Sequence, residues 1–328
     1  DGTENKSKLG ANAILGVSMA VCKAGAICSG DKFYTYIQKL SSSEKLILPI
    51  PQMNVINSGK HVGTDNDIQE HMIVPINFKS FNDALRAGVE TYQALKIVLK
   101  KRYGPKSALL GDEGGFAPPI ADVEQRLELL LKSIEESGYK GMIKLALDCA
   151  ASEFYNEKNS EYRISNKRYS NSQLIDFYKE LVKKFPIISI EDGFSQDDWT
   201  GWKFFNKELG DKIQIVGDDL LVTNIMRIRR ALDEKACNAL LLKVNQIGTV
   251  TEAIDAADIS FKNKWKVVVS HRSGETEDSF IADLCVGIGA NQCKFGAPAR
   301  SERTAKYNRL LRIEEELGKK TGFGNANK

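Results

Sequence analysis

The chain has 328 residues, 42% hydrophobic and 27% charged, with a net charge of only +3 at pH 7. That balance excludes a surface built on excess basic charge for nucleic acid, and Lys and Arg spread among acidic residues read as solvated helix faces. The six cysteines stand singly, without CxxC or zinc spacing to histidine, as expected of reduced core cysteines in a cytoplasmic enzyme. No apolar run of the ~18 residues that span a bilayer is read from the pattern, and no signal peptide opens the chain. The chain starts at Asp1 and not at Met, which leads us to expect a fragment.

In chain order, residues 1–45 come first. They contain "SKLGANAILGVSMAVCKAGA", a small-residue helix expected to pack closely against something. Forty-odd residues make no core of their own, so this stretch reads as the tail of a preceding domain. The strand-like runs 48–56 and 68–76 follow, then helical patterns over 80–103 and 122–137. From residue 139 the chain alternates short apolar strands with amphipathic helices such as 170–185 and 301–317, and Asn224 is a helix-cap candidate. The strands end at or carry Asp148, Glu191, Asp218, Lys243, His271 and Lys294. From Glu191 on, these recur roughly every 25 residues, the length of one β-α unit. Repeated units of that size imply parallel strands and a closed barrel, preceded by a ββαα segment over 48–138. In such a barrel the C-terminal strand ends converge on one mouth, so these polar residues should face one another.

Asp148, Glu191 and Asp218, brought together without a built-in counter-charge, call for a cation. All-oxygen donors suit Mg²⁺ better than zinc. Lys243 ends a short apolar strand, where a charged amine loses hydration. Close to a divalent ion and to Lys294 its pKa is expected to fall, making it a general base. Arg272 and Ser273, in "SHRSGETED", suit an anion such as phosphate. "GDEGGF" sets Glu113 before Gly114 and Gly115, which allow a sharp loop or close backbone approach. Glu70 and Glu113 form a pair that can share a proton and act as an acid. His61 comes from the loop after the first strand.

The segments "DGTENKSKLGANAILGVS", "GDEGGFAP", "LDCAASEF", "SIED", "GDDL", "LLLKVNQIGT", "SHRSGETEDSFIADL" and "GAPARSERTAKYNRLLRIEEEL" together resemble the enolase family over essentially the whole chain. The resemblance implies an α/β fold: a TIM-like ββαα(βα)₆ barrel over 46–328, after the remnant of a small α+β domain over 1–45. Its second strand should run antiparallel. It implies the glycolytic, reversible dehydration of 2-phosphoglycerate to phosphoenolpyruvate. A lysine base with Mg²⁺ stabilising the enolate is the established pattern of that superfamily and is taken from it. Asp148, Glu191 and Asp218 match the ligands of the tighter metal. Lys243 matches the base, and Glu113 with Glu70 the acid. Lys294 matches a substrate-carboxylate contact, and Arg272 and Ser273 the phosphate contacts. His61 matches a closing-loop residue, while His271 lies beside the substrate and Glu70. A second Mg²⁺ site is expected to be incomplete in this chain. A cytoplasmic homodimer is implied, with neither nucleic acid nor membrane as partner. Departures are Gly193 where proline is usual, expected to loosen the loop after Glu191, Ser58 where glycine is usual, and Ile225 where proline is common. The alternatives are another dehydratase or racemase of the same superfamily, or a non-catalytic enolase-like binding protein.

Overall fold

The computed structural model describes all residues except 4, 64–66, 319–321 and 325–328. Helices α1 (Ala11–Ser29) and α2 (Phe33–Leu40) precede the short strands β1 (Ile47–Leu48), β2 (Ile50–Pro51) and β3 (Met53–Asn57). Next come β4 (Glu70–Pro75), α3 (Phe81–Tyr103), α4 (Val123–Glu136) and β5 (Ile143–Asp148). A small three-stranded sheet, β6 (Tyr155–Asn156), β7 (Glu161–Ile164) and β8 (Lys167–Tyr169), interrupts the alternation. Regular units follow: α5 (Asn171–Lys184), β9 (Ile187–Glu191), α6 (Trp199–Leu209), β10 (Gln214–Gly217), α7 (Ile225–Glu234) and β11 (Ala239–Leu242). The chain continues through α8 (Val244–Ile247), α9 (Val250–Lys262), β12 (Lys266–Ser270), α10 (Phe280–Gly287), β13 (Gln292–Lys294), α11 (Ser301–Leu317) and β14 (Gly322–Phe323).

The large sheet runs β2-β13-β12-β11-β10-β9-β5-β4-β3. Its two ends are segments of one extended run broken at Gln52, so the sheet closes into an eight-stranded barrel. β4 is antiparallel to both β3 and β5, and the remaining pairings are parallel. Both features agree with the ββαα(βα)₆ expectation.

Side chains alternate across a strand, so residues two apart share the barrel interior. Near the start of the strands that interior is a buried amide network. Gln292 Oε1 accepts from Gln52 Nε2 (2.7 Å) and Gln214 Nε2 (3.1 Å), and Gln292 Nε2 donates back to Gln214 Oε1 (2.8 Å). Val216, Ala239, Leu241 and Val268 form a buried cluster, with Met72, Val74 and Ala146 in a second. One step further along the same face, Ala146 leads to Asp148, Val216 to Asp218, Leu241 to Lys243, and Gln292 to Lys294. The polar mouth is therefore the last layer of a barrel whose lower layers are filled.

The helices seal the outer face through the principal core, and their ends are capped. Ser170 forms a capping box with Gln173 at α5, and Asn224 Oδ1 accepts from the Met226 and Arg227 N–H groups at α7, as its sequence position predicts. Ile225 is then simply the first residue of α7. Gly193 does not loosen its loop. It is buried, its carbonyl accepts from Tyr178 Oη at 3.0 Å, and a Cβ there would lie 2.8 Å from the Phe205 ring. Ser58 Oγ is likewise engaged, donating to the Ile68 carbonyl.

Helix α1 corrects two expectations. It has 19 residues, and an 18-residue window within it has a mean hydropathy of 1.6, long and apolar enough by length and composition to cross a bilayer. Ile14, Leu15, Val17, Met19, Val21 and Ile27 supply most of it, but Asn12, Ser18 and Lys23 interrupt them, so no continuous apolar run stands out. It is also not tightly enclosed. Leu15, Cys22 and Ala26 are buried, but Val17, Val21 and Ile27 are exposed. Close packing holds locally at Gly25, against the Tyr36 ring. Polar ties anchor the helix beside the barrel: Lys23 Nζ to Asp278 (2.7 Å), and the Val250 N–H to Ser18 Oγ (3.1 Å).

Candidate active site

A polar cavity of about 170 Å³ opens at the C-terminal mouth of the barrel. Glu70, Glu113, Asp148, Lys243, His271 and Lys294 are among the residues that line it. A larger cavity of about 360 Å³ lies at the opposite end, beside Gln214 and Gln292, without such a convergence of charge.

Lys294 is the centre of the arrangement. Its Nζ donates to Asp148 Oδ2 (2.7 Å) and to both oxygens of Glu191 (2.9 and 3.0 Å), and lies 3.1 Å from Glu70 Oε2. Lys243 Nζ donates to Asp218 Oδ2 at 2.5 Å. The carboxylates do carry built-in counter-charges, contrary to the sequence expectation. Without an ion, both lysines are held above their usual pKa, whereas the expected fall was for a lysine beside a divalent cation. Burial opposes the charge on Lys294, but Asp148, Glu191, Glu70 and Glu113 outweigh it and hold its pKa well above the usual value. Burial likewise opposes the charge on Lys243, and Asp218 overcomes it, aided by Glu191 and against Lys294.

Acid is nonetheless in excess. Burial, then the neighbouring Glu113, push Glu70 well above the carboxylate range, and burial with Asp148 does the same to Glu191. Asp148 alone of these is held low, because Lys294 overcomes its burial. Asp192, Asp218 and Asp219 each bring a carboxylate oxygen within 4.8 Å of the others. Burial and Asp218 raise the Asp219 pKa to about 6. This crowd of hard oxygen donors fits a magnesium ion: two lysine ammoniums already stand where positive charge is needed, and the carboxylates remaining are still raised. The acidic group the structure singles out shares only Asp218 with the expected set, because Asp148 and Glu191 enclose Lys294.

Glu113 sits in a loop that requires its glycines. Gly114 has φ +82°, and a Cβ would lie 3.0 Å from the Ala299 carbonyl; Gly115 lies against Asn57 and the backbone of Val55. Glu113 Oε2 accepts from Asn54 Nδ2 (3.0 Å) and lies 3.2 Å from His271 Nε2, while Oε1 accepts from Ser273 Oγ (3.2 Å). Burial first, and Arg303 with Lys294 next, hold His271 below its usual pKa against the pull of Glu113, so its ring is neutral. Arg272 is exposed and touches Asn245 Oδ1 (3.0 Å). His61 falls in the short 3₁₀ helix Gly59–Val62, but its side chain lies outside the described residues.

The sequence reading missed supports whose roles depend on distant contacts. Arg303 of α11, fully buried, donates to the carbonyls of Arg272 (2.6 Å), Ser273 (2.6 Å) and Asp112 (3.1 Å) and contacts His271 Nδ1 (2.6 Å). Lys306, one helical turn on, holds Glu275 of the same loop at 2.8 Å. Asp192 accepts the N–H groups of Asp218 and Asp219, each at 2.9 Å. The only signal that could have found Arg303 and Lys306 is their three-residue spacing on a terminal helix.

Comparison with known proteins agrees with this geometry. The family model described as "Enolase, C-terminal TIM barrel domain" matches residues 45–328, and that described as "Enolase, N-terminal domain" matches residues 1–37. A protein named Enolase from Methanopyrus kandleri is 55% identical over 100% of this chain and 76% of its own length. Another of that name, from Thermococcus gammatolerans, is 56% identical over 97% of this chain and 74% of its own. A barrel closed by an antiparallel second strand, a mouth of acids and lysines, and matches over the whole length have one reading: the chain belongs to the enolase family, the phosphopyruvate hydratases, which are lyases.

Proposed function

We propose that this chain catalyses the reversible, magnesium-dependent dehydration of 2-phosphoglycerate to phosphoenolpyruvate. The observation that carries the reading is the pair of buried lysines among carboxylates, with the Glu70–Glu113 pair across the cavity from Lys243. β11, which ends one residue before Lys243, and β4, which starts at Glu70, are four strands apart in an eight-stranded barrel and thus face each other. A base and an acid on opposite sides of a substrate suit removal of a proton from one carbon and hydroxide from the next.

Asp148, Glu191 and Asp218 are the residues we assign to magnesium, which when bound supplies positive charge to the enolate oxygens of the substrate carboxylate. Lys243 Nζ takes the proton from C2. Glu113, with Glu70 beside it, gives a proton to the C3 hydroxyl, which leaves as water as the C2–C3 double bond forms. Burial, with Glu113 beside it, raises the Glu70 pKa, which favours a proton held within that pair. Lys294 holds the substrate carboxylate. Arg272 and Ser273 bind the phosphate, with His271 and the loop carrying His61 beside the substrate. Lys243 must shed the proton that Asp218 now favours, so ion binding by Asp218 is expected to accompany activity.

Residues 1–45 are proposed to be part of the small domain and 46–328 the catalytic barrel. A cytoplasmic homodimer is inferred from the family and is checked by sedimentation. The reaction itself is tested by following phosphoenolpyruvate absorbance with 2-phosphoglycerate and pyruvate formation with unphosphorylated glycerate. Turnover of the first alone supports the reading, whereas turnover of glycerate at a comparable rate points to another member of the superfamily.

A further inference from the structure

The segment after β10 contains two consecutive β-branched residues in the left-handed region, Val222 (φ 42°) and Thr223 (φ 54°). Side chains of that shape avoid this region, and such strain persists only where surrounding contacts over-determine it. The contacts here all lead to the mouth of the barrel. Thr223, fully buried, accepts the backbone N–H of Lys243 on its Oγ1 (3.0 Å) and donates from the same hydroxyl to Gln246 Oε1 (3.0 Å). Gln246, on the single turn of α8, donates from Nε2 to Asp218 Oδ1 (2.7 Å). The other oxygen of Asp218 takes the Lys243 ammonium at 2.5 Å. The result is a closed ring of contacts: Thr223 to Gln246, Gln246 to Asp218, Asp218 to Lys243, and the Lys243 backbone back to Thr223.

An amide side chain has a donor end and an acceptor end, and the ionised Asp218 carboxylate, which only accepts, takes the donor end. A hydroxyl that accepts from the Lys243 N–H has its own proton left to give, and Gln246 Oε1 at 3.0 Å is a nearer acceptor than the Leu241 carbonyl at 3.5 Å. Thr223 and Asp218 therefore favour the same orientation of the Gln246 amide, with its NH₂ toward Asp218.

We propose that Thr223 and Gln246 are positioning residues: through this hydrogen-bond ring they fix the orientation of Asp218 and the placement of Lys243. The inference rests on the function proposed above, in which Asp218 is a magnesium ligand and Lys243 the base. Neither residue is assigned contact with the reacting atoms.

The test uses the full chain and four variants: Thr223→Val, Thr223→Ser, Gln246→Leu, and the Thr223→Val/Gln246→Leu double. Valine keeps the β-branch and the shape but loses the hydroxyl; serine keeps the hydroxyl. Turnover of 2-phosphoglycerate is measured together with magnesium affinity by calorimetry, which needs no turnover, and circular dichroism checks folding. The expected result is a fall in kcat of about tenfold or more for Thr223→Val and Gln246→Leu, with KM within about twofold. Magnesium binding should weaken in both. Thr223→Ser should stay close to the parent, and the double variant should lose no more than the worse single one, because both break the same ring. If the parent binds magnesium and turns over while Thr223→Val matches it in both, this inference fails and the function stands. Losses that multiply in the double variant, or a drop in melting temperature with kcat intact, overturn it equally. A parent that neither binds magnesium nor turns over refutes the function and this inference with it.

Discussion

Lys243 shows how far single residues were legible. A charged amine at the end of a buried four-residue strand is costly, and that cost pointed to a site before any geometry was available. Asp148, Glu191, Asp218 and Lys294 were legible in the same way, as polar ends of apolar strands. Arg303 was not, because its significance lies in the partners it reaches some thirty residues back in the chain. It holds three carbonyls of the loop and of the Glu113 turn from a fully buried position. Replacing Arg303 with Met should cost about 3 kcal/mol of stability, because those acceptors lose their donor. It should also raise KM for the phosphorylated substrate by loosening the Arg272–Ser273 loop. Urea denaturation and initial-rate kinetics check the two effects separately; unchanged KM would remove the loop from phosphate binding. The thiols provide a simpler check. Cys28 is exposed and the other five cysteines are buried. One thiol per native chain should react with a disulfide reagent, and all six after denaturation.

Among the elements, periodicity located every barrel strand from β5 to β13 and the helices α3, α4, α5 and α11 to within a few residues. The sheet β6–β8 was missed because its strands are two to four residues long and partly exposed, so the alternation in β7 spans only four residues. Helix α1 was misjudged because Asn12, Ser18 and Lys23 break its large apolar residues into short runs. Caps were legible where a short polar residue precedes a periodic run. Ser170 satisfies the Gln173 N–H while the Gln173 side chain returns to the Ser170 N–H. Ser170→Ala should therefore lower stability by about 1 kcal/mol and leave the site untouched. A change in kcat without a change in stability would mean that α5 is coupled to the mouth in a way the contacts do not show.

For the molecule as a whole, the balance of buried charge predicts how stability follows pH. Glu70, Glu191 and Asp192 have pKa values raised well above the carboxylate range by burial, and Asp219 is raised to about 6. A raised folded-state pKa contributes stability that is present below the unfolded value and is lost as pH rises through the folded one. His71 and His271, held low mainly by burial, behave oppositely: their contribution is present above about pH 6.5 and is lost as pH falls below it. Stability without metal should accordingly peak in the mildly acidic range and decline toward alkaline pH. Magnesium binds the ionised carboxylates, so it should raise the melting temperature more at about pH 8 than at about pH 5.5. An equal shift at both values would mean that these acids do not hold the ion.

The whole-molecule architecture was the most legible level, since repeated β-α units leave few alternatives to a barrel. What the repeats could not show was that the lysines neutralise the acids of their own mouth. That pairing is the centre of the account, and the most direct measurement is magnesium-dependent formation of phosphoenolpyruvate from 2-phosphoglycerate by this chain beside its Lys243→Ala variant. The account predicts turnover that requires magnesium and falls by about three orders of magnitude or more in the variant, as for loss of a general base. Turnover that survives in Lys243→Ala would contradict it and move the base to another residue of the mouth.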